Sequence, residues 1–197
     1  TILVMIDHVP ATIAAIDLGS NSFHMIVAET DNGHFKVVDK MRDMVRLAAG
    51  LGEDNILDTA AIDRAIASLE RFGERLRDMH AGSVRAAGTS ALRRASDSGD
   101  FRTVAEEALG HPIEVISGIE EARLIYNGVL HSMPPTDGLR LVFDIGGGST
   151  ELILGQGGKP SALESLHMGC VVMTETYFPG GQISKRHFDD ARLAARL

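Results

Sequence analysis

Ala14-Ala15-Ile16-Asp17-Leu18-Gly19-Ser20-Asn21-Ser22 and Val142-Phe143-Asp144-Ile145-Gly146-Gly147-Gly148-Ser149-Thr150 are two versions of one pattern. Each is an apolar run ending in Asp-x-Gly, followed by small residues that carry hydroxyl or amide groups. Both read as a buried strand, a tight turn and a second strand. Glycine lets the backbone approach an anion closely and take positive φ, so that successive N–H groups form a nest. Serine and asparagine add donors at low steric cost. The aspartate at each strand end is acceptor-only and suits a magnesium ion. Two ordinary hairpins would use the same residues for turn geometry alone. Recurrence of the Asp-x-Gly core favours paired phosphate loops.

Outward from these loops, Thr12–Asp17, Ser22–Glu29 and His34–Asp43 read as an antiparallel start, with a turn at Asp31-Asn32-Gly33. Asp58 is the expected cap of a long helix with apolar residues at Ile62, Ile66, Leu69, Phe72, Leu76 and Met79, stopped by Gly82. Then come a strand at Ser83–Gly88, a short helix at Thr89–Ala95, a helix at Asp100–Leu109, a strand at Pro112–Ile116 and a helix at Ser117–His131. Pro134–Gly138 is the clearest break. Strands follow at Leu139–Asp144, Ser149–Gly155 and Pro160–His167, then helices at Met173–Phe178 and Ser184–Leu197. The last helix has no stop signal, so the native chain is expected to continue beyond Leu197.

Composition removes several function classes. The 197 residues carry 19 basic and 27 acidic side chains, a formal charge of -8, which argues against nucleic-acid binding by bulk charge. Aromatic residues make only 5% and tryptophan is absent, so base-stacking platforms are not expected. The one cysteine, Cys170, permits neither an internal disulfide nor a thiolate zinc cluster. Ile2–Ile6 is too short for a membrane span and lacks the flanks of a secretory signal, so the expected location is the cytoplasm. There is no Gly-Lys-Ser/Thr P-loop, no Rossmann fingerprint, and neither His-Glu-x-x-His nor Gly-x-Ser-x-Gly.

Three further positions have the chemistry to complete a phosphate site. Ser117 and Glu120 have capping-box spacing, which predicts that the Glu120 carboxylate reaches back to the Ser117 amide; Arg123 is a further partner. Glu121 has no such explanation. Its helical neighbours Leu124 and Ile125 suggest an apolar setting that would raise its pKa toward that of a general base. An exposed first-turn glutamate favoured by the helix dipole fits the spacing as well. Arg93, in a short helix after a strand, can contact phosphate or be a solvated surface residue; Arg94 is assigned to the surface. Glu151, two residues after Ser149, can share a cation with Asp144 or be an exposed strand carboxylate. His24 is expected in core or near-site packing, and Cys170 in a structural role.

The paired loops resemble those of the actin, Hsp70 and sugar-kinase superfamily. Four segments are similar to the exopolyphosphatase / guanosine pentaphosphate phosphohydrolase family: AAIDLGSNSFHMIVAE, GTSALRRA, ISGIEEARLIYNGV and LVFDIGGGSTELILG, with MGC at Met168–Cys170 and YFPGG at Tyr177–Gly181. GTSALR, the third glycine of IGGGST and YFPGG resemble the exopolyphosphatase branch. The resemblance implies an α/β fold of actin-like (ribonuclease H-like) lobes, with mixed sheets flanked by helices. The first lobe would cover residues 11–126 and the second, incomplete, would start at 127 and run to 197. It implies magnesium-dependent, processive removal of terminal orthophosphate from inorganic polyphosphate, with cleavage of guanosine pentaphosphate to the tetraphosphate as the alternative. In that scheme Glu121 activates water. Asp17, Gly19, Ser20, Asn21, Arg93, Gly146, Gly147, Gly148 and Ser149 bind substrate phosphate, and Asp144 and Glu151 hold the metal. A homodimer is implied for the full-length protein, with room for peripheral membrane association and no nucleic-acid partner. A non-hydrolytic actin-like nucleotide module would use the same loops without needing a base at Glu121. A sugar-kinase-like phosphotransferase would want an aspartate base for which no candidate stands out.

Overall fold

The computed structural model describes residues 10–31, 34–52, 54–96 and 98–196. Ile2–Ile6 and the turn residues Asn32 and Gly33 lie outside the described residues. The first half is a five-stranded sheet in the order β3-β2-β1-β4-β5, made of β1 (Thr12–Leu18), β2 (Phe23–Asp31), β3 (His34–Asp43), β4 (Val84–Gly88) and β5 (Ile113–Val115). β1 runs antiparallel to β2 and parallel to β4, so the sheet is mixed. Ala14, Ile16 and Leu18 alternate into the core and leave Asp17 at the strand end on the other face.

The long helix α1 (Thr59–Leu76) starts where expected, with the Asp58 carboxylate accepting from the Ala61 amide at 2.6 Å. It buries Ala61, Ala65, Leu69, Phe72 and Leu76 against the sheet. It ends at Leu76, well short of Gly82. Met79 donates its amide to the Leu76 carbonyl in a turn and still packs on the core, so the apolar period outlasts the helix. The short helix α2 (Ser90–Arg94) follows β4, and α3 (Ser98–Leu109) packs beside α1.

The helix α4 (Gly118–Ser132) joins the halves and spans the division drawn between residues 126 and 127. Ser117 caps it, its hydroxyl accepting from the Glu120 amide at 3.1 Å. The reciprocal half of the capping box is not formed. Both Glu120 oxygens take Arg123 donors instead, at 2.6 and 2.7 Å, because a bidentate guanidinium contact outcompetes one amide. Ala122 and Tyr126 pack with Ile153, which seats α4 on the second sheet.

That sheet has the order β6-β7-β8, from β6 (Leu139–Ile145), β7 (Thr150–Gln156) and β8 (Lys159–Leu166). Where a mixed sheet is expected, the described strands here are all antiparallel. The repeat is structural: the β1–β2 and β6–β7 hairpins share a register, with Asp17 opposite His24 and Asp144 opposite Glu151. They differ in cover. Ala14, Ile16 and Leu18 are buried, whereas their counterparts Leu141, Phe143 and Ile145 are exposed. α5 (Cys170–Tyr177) begins three residues before the predicted start, and α6 (Lys185–Ala194) is capped by the Ser184 hydroxyl. Cys170 is exposed.

Candidate functional site

The two turns face one another. A Cβ on Gly147 would lie 3.1 Å from the Cβ of Asn21, and one on Gly148 would lie 2.6 Å from the hydroxyls of both Ser20 and Ser90. Only glycine permits this approach. The loop carbonyls are tied back into the protein. Ser20 and Asn21 accept from the amides of Ala48 and Arg46; Gly146, Gly147 and Gly148 accept from Cys170, Val171 and Gly169. The amides of Ser20, Asn21, Gly147 and Gly148 have no such partners among the described residues. The Ser20 hydroxyl is buried and also unpartnered. Unpaired donors facing a crevice of 160 Å³ suit an anion about the size of a phosphate.

Glu121 reaches the same crevice from the first turn of α4. Its carboxylate accepts from Arg93 Nη1 at 2.7 Å, and the two side chains are 17% and 22% exposed. The same Nη1 donates to the Ile116 carbonyl at 3.0 Å. Burial pushes the Glu121 pKa up to about 7. The Arg93 hydrogen bond and charge pull it down, while Glu151 and Asp17 push it up. An exposed first-turn glutamate is therefore not what the fold produces. Arg93, expected to bind substrate phosphate, is ion-paired with Glu121 through Nη1.

Asp17 and Asp144 bring like charges to the crevice. Confinement there raises the Asp17 pKa to about 6, with the Asp144 charge adding to it. Glu151 is 1% exposed and accepts from the Ser165 hydroxyl at 2.8 Å, so it is not an exposed strand carboxylate. No group of three or more acidic, histidine or cysteine side chains among the described residues encloses a metal by itself. The donor chemistry nevertheless fits magnesium. Hard carboxylate oxygens flank a phosphate-sized space, and that ion is ordinarily held by one or two carboxylates together with substrate phosphates and water.

Ser22, His24, Thr89 and Ser90 also line the crevice. His24 takes the place in the first hairpin that Glu151 takes in the second, and its Nε2 lies 2.8 Å from the Ser22 hydroxyl. Burial and then Arg42 hold its pKa below the usual imidazole range. The repeat could have flagged His24, since it is seven residues after Asp17, as Glu151 is after Asp144.

A profile of the Ppx/GppA phosphatase family matches residues 26–197. A guanosine-5'-triphosphate,3'-diphosphate pyrophosphatase of Vibrio cholerae is 50% identical over 183 residues, covering 93% of this chain and 37% of that protein. The crystal structure of an exopolyphosphatase from Cytophaga hutchinsonii matches with a TM-score of 0.83 at 27% identity, covering 93% of this chain and 61% of that one. An Aquifex aeolicus Ppx/GppA enzyme matches with a TM-score of 0.74 at 29% identity, covering 91% and 60%. The chain thus spans between 37% and 61% of the length of these relatives. The leaning toward the exopolyphosphatase branch is not supported by the 50% relative, which is named for the guanosine substrate. Two facing Asp-x-Gly loops, a largely buried glutamate between them and a match over most of the chain lead to one assignment: the chain belongs to the Ppx/GppA phosphatase family.

Proposed function

We propose that the protein hydrolyses a terminal phosphoanhydride, with guanosine pentaphosphate as substrate, releasing orthophosphate and leaving the tetraphosphate. The carrying observation is the placement of Glu121, with a pKa of about 7, beside unpaired loop amides in a crevice of phosphate size. The named activity of the 50% identical relative supports the guanosine substrate.

In the proposed step the terminal phosphate rests on the amides of both loops and on the Ser20 hydroxyl. Glu121 accepts a proton from water as its oxygen bonds to phosphorus. The anhydride P–O bond breaks, and its electrons leave on the oxygen of the departing phosphate chain. Arg93 orients Glu121 and offers its remaining N–H groups to the charge that develops. Magnesium, held at Asp144 with Asp17 or Glu151, would neutralise phosphate charge when bound.

Polyphosphate is the second reading, favoured by the exopolyphosphatase structure of similar fold. Orthophosphate release from guanosine pentaphosphate and from long-chain polyphosphate, measured side by side with Glu121→Ala as control, tests both. Faster release from the nucleotide supports the first. Release from neither, or an unchanged rate in Glu121→Ala, refutes the hydrolase reading and leaves a non-hydrolytic module.

A further inference from the structure

The register of the second sheet lines up Asp144, Glu151 and Ser165 as one row across β6, β7 and β8. The first sheet has a matching row, Asp17, His24 and Arg42, across β1, β2 and β3. The two rows end differently. Arg42 closes the first with a fixed positive charge, which is felt at His24. Ser165 closes the second with a neutral hydroxyl, which donates to Glu151 Oε1 at 2.8 Å.

Glu151 is 1% exposed and lines the phosphate crevice. Among the described residues no ion pair includes it. A carboxylate taken that far from water is costly without a positive partner, and a hydroxyl can orient it but cannot balance its charge. The second row therefore takes its positive charge from outside, while the first carries its own. Ser165 also touches the helix that bears Glu121. Gly118 opens α4 three residues before Glu121, on the same helical face. A Cβ on Gly118 would strike both Oγ and Cβ of Ser165, so glycine lets the first turn of α4 close on β8. That contact confines Ser165, and with it the donor that meets Glu151.

We propose that Ser165 is a positioning residue for a hard divalent cation, fixing the Glu151 carboxylate so that the second row receives the ion, with Gly118 keeping Ser165 in place. The proposal rests on the reading of the crevice carboxylates as a magnesium site, and it selects Glu151, not Asp17, as the partner of Asp144. A donor behind a ligating carboxylate holds the ligand in its binding orientation, and losing such a donor ordinarily costs about ten- to a hundredfold in metal affinity.

Binding of manganese(II), which takes the same oxygen ligands as magnesium, is followed on the chain by electron paramagnetic resonance. Ser165→Ala is expected to weaken it about tenfold, and Gly118→Ala to weaken it in the same direction. Ser161 is the control: it lies on the same strand and gives its hydroxyl to the Leu154 carbonyl, so Ser161→Ala should bind as wild type does. Glu151→Gln should weaken manganese at least as far as Ser165→Ala, and Asp17→Asn by less than about threefold. With either substrate, Ser165→Ala should raise the magnesium needed for half-maximal rate about tenfold and keep kcat at saturating magnesium. A purely structural role would lower the melting temperature of Ser165→Ala and leave manganese affinity where it was. Affinity in Ser165→Ala within about twofold of wild type, an equal loss in Ser161→Ala, or a larger loss in Asp17→Asn than in Glu151→Gln overturns the proposal. No manganese binding by the wild type removes the magnesium reading, and the proposal with it. The expected loss of affinity alongside no turnover of either substrate by the wild type refutes the hydrolase reading while sustaining the role of Ser165.

Discussion

Replacing Arg93 by glutamine should move the acid limb of the pH–rate profile upward. In the wild type, activity should rise with pH as Glu121 loses its proton near pH 7. Arg93 favours the charged carboxylate through a 2.7 Å hydrogen bond between two largely buried groups. A hydrogen bond to a charged group is worth about 1.5–3 kcal/mol, and the remaining exposure places this one toward the lower end. At about 1.4 kcal/mol per pKa unit, losing it raises the Glu121 pKa by roughly one unit. The limb should therefore move from near 7 to near 8. Initial rates of orthophosphate release between pH 5 and 9 at saturating substrate give the answer, with Asp17→Asn as a companion. Asp17 adds a small upward push on Glu121, so its neutralisation should lower the limb slightly. A limb that stays in place in Arg93→Gln, or shifts downward, would refute the coupling and assign the limb to another group.

Other expectations follow from the same geometry. Ionised Glu121 is disfavoured in the fold, because its folded pKa of about 7 exceeds the ordinary 4.5, so the stability it contributes at low pH is lost as pH rises through about 7. Glu121→Gln should increase the free energy of unfolding relative to wild type at pH 8, by no more than about 3 kcal/mol, and not at pH 4; a gain at both in urea melts would contradict it. A Cβ on Gly169 would strike the Gly147 carbonyl and the Gly148 amide, so Gly169→Ala should cost about 3 kcal/mol in urea melts and weaken phosphate binding. Unchanged affinity would show that the second loop tolerates displacement. Phe143→Lys on the exposed face of β6 should reduce concentration-dependent light scattering by this chain; equal scattering would clear that face of any part in self-association.

Much of the hairpin architecture was legible in the sequence, because a two-residue apolar period ending in Asp-x-Gly has few solutions. An upward pKa for Glu121 was one of two readings open in the sequence; in the fold burial produces it, with Arg93, Glu151 and Asp17 as the charged neighbours. Contacts between distant segments were not legible. The Arg93–Glu121 pair joins residues 28 apart, and nothing at either end of the sequence marks the other. Glu151 reads equally well as a metal ligand or an exposed strand carboxylate until β6 and β8 flank it and Ser165 supplies a donor. Glu120 shows the limit of motif reasoning: the spacing was right, but Arg123 held both oxygens. The end of α1 was misplaced because Met79 extends the apolar stripe through a turn that has no glycine.

Glu121 and Arg93 are rooted in different halves of the molecule. Glu121 belongs to a helix anchored on the three-stranded sheet through Ala122 and Tyr126, while α2, which carries Arg93, is embedded in the five-stranded half through Ala91 and Leu92. The pKa of Glu121 therefore answers to both halves at once: α2 brings the guanidinium that pulls it down, and burial, the larger influence, pushes it up. A substitution that altered how the halves pack would change the basicity of this carboxylate without touching Glu121 itself.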